Sequence, residues 1–120
     1  MKGLLDTNIL IDYLNGIEAA RREIAAYSSP MISVITWMEV MIGAGREDEA
    51  AIRGFLSRFT LVPLSQQVAE ITVELRRGRR LRLPDAIIWA SARSEDALLV
   101  SRNSKDFPPD EPGVRMPYRV

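Results

Sequence analysis

The chain reads as an α/β protein: short apolar strands alternate with helical segments around a mostly parallel sheet. Three observations predict this. Leu4-Leu5, Met31-Ile32-Ser33-Val34-Ile35, Leu61-Val62-Pro63 and Ala97-Leu98-Leu99-Val100-Ser101 are brief aliphatic runs of the kind that fill buried strands. The stretches between them carry apolar residues at three- and four-residue spacing, the helical period. Strands separated by helices imply right-handed βαβ crossovers, and therefore parallel strands covered by helices. At 120 residues the expectation is one domain, residues 1–120.

Taken in order, Leu4-Leu5 stops at Asp6, where a loop must begin, because an ionised carboxylate is costly inside a strand. Leu10, Tyr13, Leu14 and Ile17 then recur with helical spacing, and Asn15-Gly16 reads as a stop. Ala20, Ile24 and Tyr27 form a second helical pattern that ends at Ser28-Ser29-Pro30. The strand Met31–Ile35 follows, and Thr36 is expected to open a helix running to Gly43-Ala44-Gly45. Glu47 to Phe59 places Ile52, Phe55, Leu56 and Phe59 on one helical face. After the strand at Leu61–Pro63, Ser65 to Arg77 reads as a helix with Val68, Ile71 and Leu75 inward, ended by Gly78. Pro84 suits a helix start, and Asp85 to Ser94 is apolar nearly all round, which predicts burial. Ala97–Ser101 is a further strand, Pro108 to Pro112 a loop, and Val114 to Tyr118 a last strand that Pro117 confines to an edge.

Composition narrows the chemistry. Lys plus Arg and Asp plus Glu number 16 each, so no global field attracts nucleic acid and any such contact needs a local patch. The sequence has no cysteine and no histidine. Disulfides, thiolate nucleophiles, structural zinc sites and histidine acid–base catalysis are therefore excluded. A metal site must use oxygen ligands, which favours Mg²⁺ or Mn²⁺. No stretch approaches the roughly 18 apolar residues of a membrane span. Asp6 comes too early for a signal peptide, so a cytoplasmic location is expected.

Four acids sit at element ends: Asp6 after the first strand, Glu39 in the first turn of the next helix, Asp85 at the start of the buried helix, and Asp106 past the fourth strand. In a parallel α/β sheet these positions share one edge, where ligands bind. Each has a structural reading: Asp6 as a helix cap, Thr36-Trp37-Met38-Glu39 as a capping box, Asp85 as a partner of the helix dipole, Asp106 as a turn residue. Together they say more. Two carboxylates about 4 Å apart repel by roughly 4 kcal/mol at an effective dielectric of about 20, so a cluster needs a proton or a cation.

These residues resemble those of the PIN domain family, and specifically the VapC toxins of type II toxin–antitoxin pairs. The matching stretches are Leu4-Leu5-Asp6-Thr7-Asn8, Ser33 to Glu39, Leu81 to Ala92 and Leu99 to Phe107, in family order along nearly the whole chain. The resemblance implies a three-layer α/β/α sandwich with a five-stranded parallel sheet, and Mg²⁺- or Mn²⁺-dependent cleavage of RNA. It assigns Asp6, Glu39 and Asp85 to the active site, with Asp6 and Asp85 as the more direct metal ligands. The family's fourth acid falls on Asn103, with Asp106 three residues on. Thr7, Asn8 and Ser101 are expected to orient the acids. The expected reaction is in-line attack on phosphorus by a water that the cation acidifies, leaving 5′-phosphate and 3′-hydroxyl ends. The resemblance also implies toxin homodimers and a VapB-type antitoxin whose C-terminal segment wraps the toxin and blocks the site in a hetero-oligomer. A basic antitoxin side chain reaching the acidic pocket would inhibit by mimicking the cation's charge.

Two further features bear on partners. Arg76, Arg77, Arg79, Arg80 and Arg82 crowd five basic residues into seven positions before Asp85. They read either as a solvated helix end or, at Arg79, Arg80 and Arg82, as an RNA-phosphate patch. Trp37, Met38, Val40, Met41 and Ile42 read either as core or as a partner surface. Two alternative functions stand beside the nuclease. One is a PIN-like domain that binds RNA or a partner without cutting. The other is a Mg²⁺-binding receiver domain, which wants paired acids after the first strand and an acceptor after the third; Leu61-Val62-Pro63-Leu64 offers none.

Overall fold

The computed structural model of the protein describes residues 1–119. Five strands, β1 (Gly3–Leu5), β2 (Met31–Ser33), β3 (Thr60–Val62), β4 (Leu98–Val100) and β5 (Val114–Arg115), form one sheet in the order β3-β2-β1-β4-β5. Every pairing is parallel. The helices are α1 (Thr7–Leu14), α2 (Glu18–Ala25), α3 (Val34–Gly43), α4 (Glu49–Leu56), α5 (Gln66–Arg77) and α6 (Leu83–Ser94), with a 3₁₀ turn at Arg46–Asp48.

The two-residue period of the strands divides the core. Leu4 lies in register with Met31 and Leu99, and all three face a cluster filled by Val68 and Leu75 of α5 and by Ala86, Ile88, Trp89 and Ala90 of α6. Leu5, Ile32 and Val100 face the other way, onto Ile9 and Leu10 of α1, Ile24 of α2, Val40 of α3 and Phe55 of α4. The result is the expected α/β/α sandwich. Helix α6 is buried from Ala86 to Ala92, as its all-round apolar sequence predicts. The strand order also sets the receiver reading aside. A receiver-type sheet runs 2-1-3-4-5, whereas here β1 lies between β2 and β4.

Several boundaries differ from the sequence reading. The second strand ends at Ser33, not Ile35, and α3 starts at Val34, not Thr36. Ser33 is the N-cap: its hydroxyl accepts from the Ile35 N–H at 3.1 Å. The β-branched pair Val34-Ile35 imitates strand, but the cap decides. Thr36 is therefore a buried residue inside the helix, the capping box does not form, and Glu39 stands in the second turn. The third strand is shifted by one residue to Thr60–Val62, the helix expected over 47–59 is confined to Glu49–Leu56 after the 3₁₀ turn, and the last strand is only Val114–Arg115. The apolar start of α3 divides in two. Val40 is buried, with Trp37 and Met41 packed against the same core, while Met38 and Ile42 are exposed at 42% and 83%.

So short an edge strand is held by side chains as well as by its ladder. Arg115 of β5 donates from Nη2 to the buried Glu23 at 3.0 Å, and Tyr27 donates to the same carboxylate at 2.8 Å. Asp12, also buried, takes the fork of Arg102 and the Tyr118 hydroxyl at 2.9 Å. Burial opposes ionisation of Asp12, but Arg102 and Tyr118 outweigh it and hold the carboxyl below its usual range. Substituting Ser33→Ala removes the cap that sets where α3 begins; urea denaturation should register a loss of about 1–2 kcal/mol, and an unchanged midpoint would mean that the cap contributes nothing.

Candidate active site

Asp6 is the last residue that β1 controls. Its N–H still bonds to the Val100 carbonyl at 2.8 Å, and its extended backbone (φ −69°, ψ 157°) turns the chain into α1. Its carboxylate is only 4% exposed and takes three donors: the Thr7 N–H at 2.8 Å, the Ser101 hydroxyl at 2.7 Å and the Asn8 amide at 3.2 Å. Ser101 is fixed in turn because its oxygen accepts the Asn103 N–H at 3.0 Å, leaving its one proton for Asp6. The Arg102 N–H approaches Asn8 Oδ1 at 3.4 Å, which ties α1 to the loop after β4.

The other acids arrive from α3, α6 and the loop after β4. Glu39 Oε1 accepts the Thr7 hydroxyl at 2.7 Å, and the Thr7 oxygen lies 2.9 Å from that of Thr36. An ionised carboxylate only accepts, so Thr7 turns its proton to Glu39 and Thr36 supports Thr7 from beneath. Asp85, in the first turn of α6, has Oδ2 held by Arg82 from Nη2 at 3.2 Å and Nε at 3.3 Å. Asn103 and Asp106 bond each other, amide to carboxylate at 2.9 Å and N–H to side-chain oxygen at 3.3 Å. Asp6, Thr7, Asn8, Glu39, Asp85 and Asn103 line one open cleft of about 360 Å³, together with Ile11 and Arg102. Asp106 flanks this group through Asn103.

The electrostatics mark the cleft as short of positive charge. Burial pushes the Asp6 carboxyl up to about 6 against the donors from Ser101 and Thr7, and the charges of Asp85 and Glu39 add to the rise. Asp85 is raised as well, chiefly by burial, with Asp106 and Glu39 adding and Arg82 opposing. The donors are all oxygens, the chemistry that suits a hard divalent ion. With Asp85 drawn to Arg82 and Glu39 to Thr7, no three carboxylates among the described residues already form a closed cage.

The basic run disperses. Arg76 donates to the Leu81 carbonyl at 2.8 Å, and Arg77 pairs with Glu74 at 3.0 Å. Arg79 pairs with Glu111 at 2.9 Å while its guanidinium lies 4.7 Å from the Trp89 ring centre. Among the described residues no carboxylate is within ion-pairing distance of Arg80, and Arg82 alone of the five contacts the acids. Sequence reasoning missed the roles of Thr36 and Arg102. Thr36 was legible only as a cap, and nothing local links Arg102 to Asp12, 90 residues away.

The raised Asp6 value carries a sign. Between the ordinary value of 3.8 and about 6 the folded protein keeps a proton that the unfolded chain has released, so stability falls as pH rises through that window. Above it the penalty is complete, about 3 kcal/mol by linkage. Asp6→Asn should flatten this pH dependence and leave the metal-free protein about 1–3 kcal/mol more stable at neutral pH, read from urea titrations across the window; a destabilised variant would show that the charge is already compensated.

Comparison with known proteins identifies the family of the fold. The PIN domain model matches residues 3–108. The tRNA(fMet)-specific endonuclease VapC of Shigella flexneri is 32% identical, over 89% of this chain and 90% of its own. Ribonuclease VapC2 of Haemophilus influenzae is 33% identical over the same shares. Among solved structures, a toxin–antitoxin complex from Klebsiella pneumoniae superposes with a TM-score of 0.93 at 45% identity, over 98% of this chain and 99% of that one. DNA-bound VapBC from Salmonella typhimurium gives 0.78 at 29% identity, over 96% of each. With the strand order and these relatives in agreement, the chain belongs to the PIN domain family, among its VapC ribonucleases.

Proposed function

We propose that the protein is a VapC-type endoribonuclease toxin that hydrolyses RNA phosphodiester bonds with a divalent cation, Mg²⁺ or Mn²⁺, and is held inactive by a VapB-type antitoxin. The observation that carries this reading is the meeting of Asp6, Glu39 and Asp85 in one cleft, from a strand end and two separate helices. Asp6 and Asp85 are the direct ligands and Glu39 completes the set. Bound there, the cation neutralises phosphate charge and acidifies water.

The chain's own residues do the rest. Ser101, Asn8 and the Thr7 N–H fix the Asp6 carboxylate in one orientation, so no rotamer search precedes ligation. Thr7 holds one Glu39 oxygen and leaves the other to orient a water or a ligand. Asn103 lines the cleft where the family carries an acid, and its amide keeps the Asp106 carboxylate beside Asp85, supplying the negative charge at one remove. Arg82 and Arg80 are the local basic groups for the RNA backbone; the Arg79 charge is committed to Glu111. The exposed Met38 and Ile42 of α3 offer an apolar surface for assembly, with a second copy or with the antitoxin.

Several of the similar structures are toxin–antitoxin complexes, which supports a hetero-oligomer as the resting form. Among the described residues no helix is long and apolar enough to cross a membrane. RNA and antitoxin together point to action in the cytoplasm.

Cleavage of total RNA by the purified chain, with and without Mn²⁺, is the direct test. Asp6→Asn and Asp85→Asn should each slow cleavage at least about 10²-fold while remaining folded, and EDTA should abolish it. Asp106→Asn should cost roughly 10-fold, the usual scale for a supporting group. Native rates in EDTA, or in either of the first two variants, would defeat the mechanism.

A further inference from the structure

Among the described residues Arg82 is the single basic side chain bonded to Asp85 and Asp106, and its setting is unlike that of Arg102. Arg102 lines the cleft itself, but both arms of its fork close on the buried Asp12, which Tyr118 caps; that charge is spent. Arg82 stands at the N-cap of α6 with its side chain 78% exposed and no capping role of its own. It reaches Asp85 Oδ2 from Nη2 at 3.2 Å and Nε at 3.3 Å, and Asp106 Oδ2 from Nη2 at 3.8 Å. The two carboxylates are far less exposed, at 14% and 21%. A solvated cation thus clamps acids that are themselves largely out of water.

Such a clamp is weak, because solvent screens an ion pair whose cation is exposed. It nevertheless occupies an oxygen of Asp85, one of the acids that line the cleft. A doubly charged ion competing for the same oxygen has the larger Coulomb attraction, and once bound it repels the guanidinium. The freed fork remains tethered beside Asp85, where a phosphate diester is the complementary partner for two parallel N–H donors.

We propose that Arg82 is an exchangeable counter-ion: it holds Asp85 while no divalent cation is bound, yields it to the cation, and then takes a backbone phosphate of the RNA strand. The inference rests on the cation-dependent reading above.

The experiment compares the native chain with Arg82→Gln and Arg80→Gln, which change net charge equally although only Arg82 touches the acids. Mn²⁺ affinity is measured by calorimetry and KM for a short RNA by steady-state cleavage. Arg82→Gln should bind Mn²⁺ about 2–5-fold more tightly and raise KM about 3–10-fold, opposite changes that a damaged fold would not give together. Arg80→Gln should leave Mn²⁺ affinity unchanged. Equal tightening in both variants, equal or weaker Mn²⁺ binding in Arg82→Gln, or an unchanged KM overturns the exchange. A native chain that binds no Mn²⁺ at all instead defeats the cation reading itself.

Discussion

A carboxylate kept almost out of water at the end of the central strand is the constraint on which the remaining architecture depends. Asp6 cannot be removed from solvent cheaply, and three donors from Thr7, Asn8 and Ser101 satisfy its lone pairs without cancelling its charge. The residual cost appears as a carboxyl raised to about 6. A sequence selected only for stability would not retain that arrangement, since an amide or a small apolar residue would fold more readily there. The cost becomes intelligible where a cation arrives as part of the working protein.

The sheet order explains how other acids reach this point. Because β1 lies between β2 and β4, the elements that leave β2 and β4 flank the end of β1. Helix α3 brings Glu39 from one side, and the loop after β4 brings Ser101 and Asn103 from the other. Asp85 comes from the first turn of α6, just before the stretch Ala86 to Ala92 that is buried. The charges elsewhere are arranged so as not to interfere. Arg102 borders the cleft but is neutralised by Asp12, and Arg115 is neutralised by Glu23, so neither cation discharges the site. Those same pairs anchor a C-terminal tail whose strand is two residues long.

What the sequence discloses follows the range of the interaction. Asp6 after two leucines, the all-round apolar helix from Asp85 to Ser94, and the parallel alternation of strands are local patterns, and each corresponds to what the fold contains. The start of α3 was not legible. Val34 and Ile35 favour strand by propensity, Thr36 to Glu39 spells a capping box, and the choice of Ser33 instead depends on pairing with β3 in the folded sheet. The misplaced helix start also misplaced Thr36, which supports Thr7 from a buried position and caps nothing. The fates of the arginines between 76 and 82 were equally hidden. A run of like charges reads as one patch, yet each member finds a different neighbour, several of them distant in sequence.

The cleft is best understood as a slot for positive charge whose occupant can change. Asp6 is buried and held by three donors, whereas Asp85 pairs with the exposed Arg82. On the exchange proposed above, an ion would displace only a group that is already solvated. It also suggests why inhibition by a protein partner is physically easy here. Any basic side chain able to reach Asp6 would meet the same unmet charge that favours the cation, and it would need no hinge or lid to do so. On that reading, selectivity among guanidinium, metal ion and a partner's basic group would rest on depth. Arg82, fixed at the helix N-cap, pairs with Asp85 and Asp106, while Asp6, bonded to Ser101 and Asn8, is left for an occupant that arrives from outside the chain.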